Sequence, residues 1–329
     1  MKQRAIKAAS LASFIGTRHS VFRLSHFQST RLTKPSSRTM STITLQDHGI
    51  PVTLPDGLSE EQLLSFQPFN TWVSTLTASL ALQARTPSHP FHASPYRLHA
   101  ITIQAYDLFG PRRVGFLKAV ADVSNAEGAS LPAAVFLRGP SVAMLVTLVP
   151  DDAAPDSDER YALLTVQPRV AAGSLAFVEL PAGMVDDEGS FAGVAAKEIR
   201  EELGMDIRAE QLTCLSALAA ELDAEEQTRQ PGPEQAQHHR GDRDENLPRA
   251  MYPSAGGCDE HITIYSHERR VPRAQLEAWS GKLTGLRDEG EKITLKLVPF
   301  AQLWRAGARD AKCLAALALY EGLKREGRL

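Results

Sequence analysis

The chain has 329 residues, 43% of them hydrophobic and 23% charged, with a formal net charge of −3. That length accommodates one large domain or two small ones around a real core, and near neutrality provides no global basic field to hold nucleic acid or a membrane surface. No apolar run reaches the roughly 18 residues a spanning helix needs. The three cysteines, Cys214, Cys258 and Cys313, fit neither a disulfide framework nor a CxxC metal site, which points to a reducing compartment.

The first stretch has its own composition. Met1 to Gln46 carries eight Lys or Arg residues and no acid before Asp47, with serines throughout and a short amphipathic candidate helix from Ala5 to Phe14. Arg-rich, Ser-rich and acid-free is the pattern of an organellar transit peptide. Residues 1–43 are therefore set apart from the fold, with the mitochondrion as the expected destination. Met40 offers an internal start for a cytoplasmic form.

Leu45 to Leu58 reads as extended. Ser59-Glu60-Glu61 has the form of a helix start, and Trp72, Leu76 and Leu80 follow at i, i+4 and i+8, the spacing of one helical stripe. Strand-like runs come next, at Leu98–Ala105, Gly115–Val123, Ala133–Leu137, Ala143–Val149 and Tyr161–Gln167. A helix is predicted over Phe191–Leu203. Glu221–Arg249 is almost wholly polar around Pro231-Gly232-Pro233 and reads as a disordered insertion. Its adjacent His238 and His239 do not converge on one face and make no metal site by themselves. Strands return at His261–Ser266 and Ile293–Val298, and a last helix from about Asp310 carries Ala316, Leu319, Tyr320 and Leu323 on one stripe. Strands enclosing helices without regular βαβ alternation predict an α+β fold, an α/β/α sandwich rather than a Rossmann sheet. An N-terminal helical and β-rich region is expected over residues 44–130, and a second domain over 131–329 with 221–249 inserted.

The informative stretch is Leu180–Met205, LPAGMVDDEGSFAGVAAKEIREELGM. On an α-helix Glu198, Glu201 and Glu202 fall at i, i+3 and i+4 on one face. Each such like-charge pair weakens an isolated helix by about 0.2–0.5 kcal/mol. A divalent cation relieves that crowding, and hard carboxylate oxygens suit Mg²⁺ or Mn²⁺. Taken alone, KEIREE reads better as a solvated acidic face, with Lys197 and Arg200 as counter-charges. The longer context reverses this. The stretch resembles the Nudix box, G-x5-E-x7-R-E-U-x-E-E-x-G-U with U aliphatic, at Gly183, Glu198, Ile199, Glu201, Glu202, Gly204 and Met205. Gly189 departs from it where the first Glu belongs, and Lys197 where the Arg belongs. Slower catalysis is expected from both.

Beyond the box, the chain resembles the ADP-sugar diphosphatase group of Nudix enzymes, plant plastid ADP-glucose type included. The likeness runs through Asp107-Leu108-Phe109-Gly110, Arg113 to Lys118, Arg138-Gly139-Pro140, Gln167-Pro168-Arg169-Val170, Glu179 to Met184, Tyr252 to Glu260 and Thr284 to Asp288. This resemblance implies a Nudix α/β/α sandwich with an N-terminal β-rich dimerisation region, and a homodimer. By it the Ala182 carbonyl, Glu198 and Glu202 hold metal, with Glu201 bridging or nearby. Arg169 grips the diphosphate, Arg138 is a second substrate contact, and Gly183, which opens the box, is a third. Glu289 is the expected general base, with Glu291 in reserve, on the acidic loop before Ile293. Phe109 and Phe116 are candidates for an adenine platform, although core roles suit both better.

The expected reaction is metal-assisted hydrolysis of an ADP-sugar, ADP-ribose or ADP-glucose, to AMP and a sugar phosphate. Positioning and charge stabilisation would do most of the protein's share. The alternatives are another nucleoside diphosphate derivative as substrate, or a catalytically weak ADP-ribose-binding sensor.

Overall fold

A computed structural model describes residues 40–155, 157–185, 190–229, 245–285 and 292–329. Two strands, β1 (Ser41–Leu45) and β2 (Ile50–Leu54), lead into α1 (Glu60–Ser65) and α2 (Gln67–Arg85). The Ser59 start is a capping box. Gln62 N–H donates to Ser59 Oγ at 3.1 Å, and Ser59 N–H to Gln62 Oε1 at 3.0 Å, satisfying two donors the first turn would leave open. Strands β3 (Arg97–Phe109), β4 (Arg113–Ser124) and β5 (Ala134–Leu137) complete a five-stranded sheet in the order β1-β2-β3-β4-β5. One face buries Leu117, Ala119, Ala121 and Val123 at every second position against Phe69 and Val73 of α2. The other carries Phe109, Phe116 and Phe136 in a row of ring contacts.

The second sheet has eight strands. Its members are β6 (Ser141–Pro150), β7 (Tyr161–Arg169), β8 (Ser174–Glu179), β9 (Ala182–Met184), β10 (Thr213–Cys214), β11 (Ile262–Val271), β12 (Leu283–Thr284) and β13 (Ile293–Pro299). All ten residues of β6 are buried, because helices cover both faces and polar alternation disappears. On one face Val142, Met144 and Val146 meet Ala195, Ile199 and Leu203 of the box helix, together with α5 (Arg273–Trp279). On the other, Ala143 and Leu145 meet α4 (Leu215–Arg229) and α7 (Ala311–Arg325), which follows the short α6 (Leu303–Ala306). The result is the α/β/α sandwich, with a β-rich N-terminal region beside it.

One irregularity positions the site. Strands β6 and β7 pair only at Val146–Leu148 with Tyr161–Leu163, then part. Into the gap come β9, paired with Ser141–Ala143, and β8, paired with Thr165–Arg169. The segment joining them, Leu180-Pro181, therefore lies inside the sheet, with Leu180 fully buried.

Two expectations need correction. The polar stretch after Glu221 does not begin as an insertion, because α4 continues to Arg229. Its Ala, Glu and Gln residues are strong helix formers, and Leu215, Leu218 and Leu222 anchor the preceding turns. Strands β3 and β4 are also longer than Leu98–Ala105 and Gly115–Val123, since hairpin pairing continues to Phe109–Arg113 after apolar alternation ends. His238 and His239 lie outside the described residues.

Candidate active site

Helix α3 (Phe191–Glu198) starts at Ser190, whose Oγ accepts the Gly193 N–H at 3.1 Å. It widens into a π turn over Ile199–Leu203 and stops at Gly204, where φ is +65°, a conformation glycine adopts without a Cβ penalty. Ile199 and Leu203 point into the core. That anchoring carries the neighbouring Glu202 inward, leaving it 4% exposed.

Glu202 is gripped at both oxygens. Gln167 Nε2 donates to Oε1 at 3.2 Å and the Ala182 N–H to Oε2 at 3.1 Å. Burial, and next the charge of Glu198, push the carboxyl up to about 8 against those two bonds, with Glu179 adding to the rise. Glu198 lies directly over Gly183. A Cβ at Gly183 would fall inside its carboxylate, so only glycine lets the strand and the side chain approach so closely. Glu201 takes a different direction. Its side chain stays 22% exposed, with Lys197 Nζ 3.9 Å from Oε2. The π turn thus separates carboxylates that a regular helix would set on one face.

Along β7, Thr165 and Gln167 share a face because side chains repeat every second residue, and the pairing with β8 is irregular between Gln167 and Arg169. Thr165 Oγ1 donates to the Glu179 carbonyl at 3.4 Å, Gln167 holds Glu202, and Arg169 Nε donates to Glu179 Oε1 at 2.6 Å. Arg138 sits across the gap at the end of β5, its Nη1 3.3 Å from Glu260 Oε1 and its Nη2 donating to Ser141 Oγ at 3.3 Å. The Asp259 carboxylate accepts the Arg138 and Gly139 N–H groups at 2.8 and 3.1 Å. Burial raises the Asp259 pKa despite these bonds.

Mg²⁺ commonly takes one or two protein carboxylates and completes its shell with water and phosphate oxygens. Glu198 and Glu202, beside the Ala182–Gly183 backbone, form a donor set of that kind, and Gly183 is the cradle a side chain would fill. Among the described residues no three His, Cys, Asp or Glu groups close into a full cage. Glu289 and Glu291 lie outside the described residues, as do Gly189 and its neighbours Asp186, Asp187 and Glu188. Phe109 and Phe116 are in the ring row on the first sheet. A mainly apolar cavity of about 890 Å³ meets the box, among the described residues, at Val185 and Phe191, with Trp72, Tyr252 and His261 on its other walls. Among the described residues, Glu198, Glu202 and Arg169 are not part of its lining.

Sequence reasoning passed over two residues here. Gln167 and Glu179 belong to the stretches that carry the family resemblance, but the sequence assigns neither a role. Gln167 had a local signal, since alternation along β7 sets it on the face of Leu163, which packs with Ile199 and Leu203. Glu179 had none, since its partners include Lys312, 133 residues away.

The family model for the NUDIX domain matches residues 153–317. Nudix hydrolase 14, chloroplastic, from Arabidopsis thaliana is 38% identical over 232 residues, which is 70% of this chain and 64% of that relative. The chain thus spans less than two thirds of the relative's length. A solved structure titled "Crystal structure of ADP compounds hydrolase" aligns with 71% of this chain and 99% of its own, at 17% identity and a TM-score of 0.41, a likeness too slight to carry an argument. With the box in place and half its length matched, the chain belongs to the Nudix family.

Proposed function

We propose that this protein is a divalent-metal-dependent hydrolase that cleaves the diphosphate of ADP-sugars, ADP-ribose or ADP-glucose, to AMP and a sugar phosphate. The observation that carries the reading is the Glu202 carboxylate, buried and fixed by Gln167 and the Ala182 N–H beside Glu198. A buried carboxylate beside a second, half-buried one is costly when both are charged, so the arrangement makes sense as half of a Mg²⁺ or Mn²⁺ shell. Glu198, Glu202 and the Ala182 carbonyl would hold the ion, with Glu201 alongside. A bound divalent cation supplies charge neutralisation for the diphosphate and acidifies water. Arg169 grips the diphosphate at the end of β7, and Arg138 contacts substrate across the gap. Glu289 serves as general base, with Glu291 in reserve. The protein works as a homodimer, and residues 1–43 direct it to the mitochondrion.

The test is a substrate panel on protein beginning at Met40, with Mg²⁺ or Mn²⁺ and products separated by chromatography. AMP plus sugar phosphate from ADP-ribose or ADP-glucose is expected. Faster turnover of dinucleoside polyphosphates than of every ADP-sugar would overturn the substrate assignment. A second reading, a weakly catalytic ADP-ribose-binding sensor, draws on Lys197 and on Glu201 turned toward it. A sensor would bind ADP-ribose with Glu202→Gln as it does without it, and would have little turnover to lose.

A further inference from the structure

Behind Arg169 runs an unbroken chain of charged groups. Arg169 Nε donates to Glu179 Oε1 at 2.6 Å, and Lys312 Nζ donates to Glu179 Oε2 at 2.9 Å. Lys312 Nζ also donates to Asp310 Oδ1 at 2.9 Å, while Asp310 Oδ2 accepts the Leu180 N–H at 2.9 Å. The side chains of Glu179 and Asp310 are 3% and 4% exposed and that of Lys312 15%, whereas Arg169 reaches solvent at 41%. Burial opposes the Lys312 charge, but Asp310 and Glu179 outweigh it and hold the ammonium above its ordinary pKa. Buried ion pairs of this kind add little stability over apolar packing, so a task other than stability is worth seeking.

The geometry supplies one. Glu179 has two oxygens and two cationic neighbours, one for each. Arg169 is engaged through Nε by a single oxygen, not by the paired fork that Arg and carboxylate form when nothing competes. Its two terminal nitrogens, the planar pair that matches phosphate oxygens, are not taken by Glu179. We propose that Lys312, set by Asp310, is a positioning residue for the diphosphate. By occupying the second oxygen of Glu179, it prevents a two-pronged Glu179–Arg169 grip and leaves the guanidinium fork to substrate. The inference rests on the reading of Arg169 as the diphosphate clamp. It assigns the start of the C-terminal helix, distant in sequence from the box, a part in substrate binding.

The experiment is a set of variants of the chain beginning at Met40: K312M, K312R, R169A, R169A/K312M and E179Q/K312M. The readouts are KM and kcat on the best ADP-sugar and the dissociation constant for ADP by calorimetry. K312M is expected to raise KM and the ADP dissociation constant about tenfold while kcat changes about twofold or less, a coupling within the range of contacting residues. In the R169A background the same substitution should add less than about twofold. K312R, which returns a donor to Glu179, should recover most of the loss. E179Q/K312M removes the charges of Glu179 and Lys312 and leaves no Glu179 carboxylate to seize Arg169, while Asp310 keeps its Leu180 and Lys312 backbone N–H donors, so it should bind ADP nearly as wild type, and it keeps the question open to test if K312M alone does not fold. Equal factors in both Arg169 backgrounds, or a double variant weaker than K312M, would overturn the proposal. If wild type cleaves a diphosphate other than an ADP-sugar, the substrate reading fails and the coupling is measured on that compound. If R169A changes neither binding nor turnover on any substrate, the clamp and its positioning fall together.

Discussion

The box helix has a dry side and a wet side, and the two treat adjacent glutamates in opposite ways. On the dry side Glu202 is held by two hydrogen bonds and sits 4% exposed beside Glu198. On the wet side Glu201, one residue earlier, faces Lys197 across 3.9 Å of partly solvated space. The first is fixed by packing; the second is free to answer a ligand. Position in the motif alone does not make two carboxylates equivalent. What separates them is which side of the Ile199–Leu203 turn packs against the sheet.

The largest expected effect tests that asymmetry directly. Glu202→Gln should lower turnover about 10³-fold, the order lost when several kcal/mol of charge stabilisation is removed, while Glu201→Gln should lower it by about tenfold. Equal losses in steady-state assays would erase the distinction. Next comes Gly183→Ala, which must push Glu198 off the strand. About a hundredfold loss in kcat/KM is expected, since small misplacements at a reacting centre are costly, and wild-type rates would show that Glu198 has room to spare.

A smaller effect appears in stability. Without metal, Glu202 is pushed up from about 4.5 to about 8 in the folded chain. A carboxyl with a raised folded pKa contributes stability fully below its unfolded pKa, and that contribution is lost as pH rises toward the folded value. Glu202→Gln cannot ionise and escapes the loss. In urea unfolding with a chelator present, its stability relative to wild type should therefore rise between about pH 4.5 and pH 8, by at most about 1.4 kcal/mol per unit, and level off above. A pH-independent difference would mean that Glu202 is charged throughout. The smallest effect belongs to the wet side. Lys197→Arg restores the planar fork toward Glu201, and a rise of only about two- to threefold in kcat is expected, because exposed pairs are worth about 1 kcal/mol or less.

The two sides also differ in how legible they were. The Ser59 helix start, the glycine at 204 and the apolar stripe of α7 were readable because caps and periodicity are local properties. The apolar run of β6 declared a strand covered on both faces. The box itself, Gly183 to Met205, was legible as a motif. The sorting of Glu201 from Glu202 was not, because helical spacing assumes an α ladder where the chain makes a π turn. Nor was the Arg169–Glu179–Lys312–Asp310 chain visible. Its central link, Glu179 to Lys312, joins segments 133 residues apart, and buried charges leave no pattern in a single sequence.

That π turn has a consequence of its own. Such a turn is an α-helix carrying one surplus residue, a common feature of functional sites. Were the same residues wound as a regular α-helix, each would turn the chain by about 100° and the stretch beyond the turn would fall out of phase with the sheet. Glu202 would swing away from Gln167 and the Ala182 N–H while Leu203 lost its seat in the core. Deleting Arg200 removes the surplus residue, and such a variant should show a more regular helix by amide exchange. The misfit in length is what aims the carboxylate.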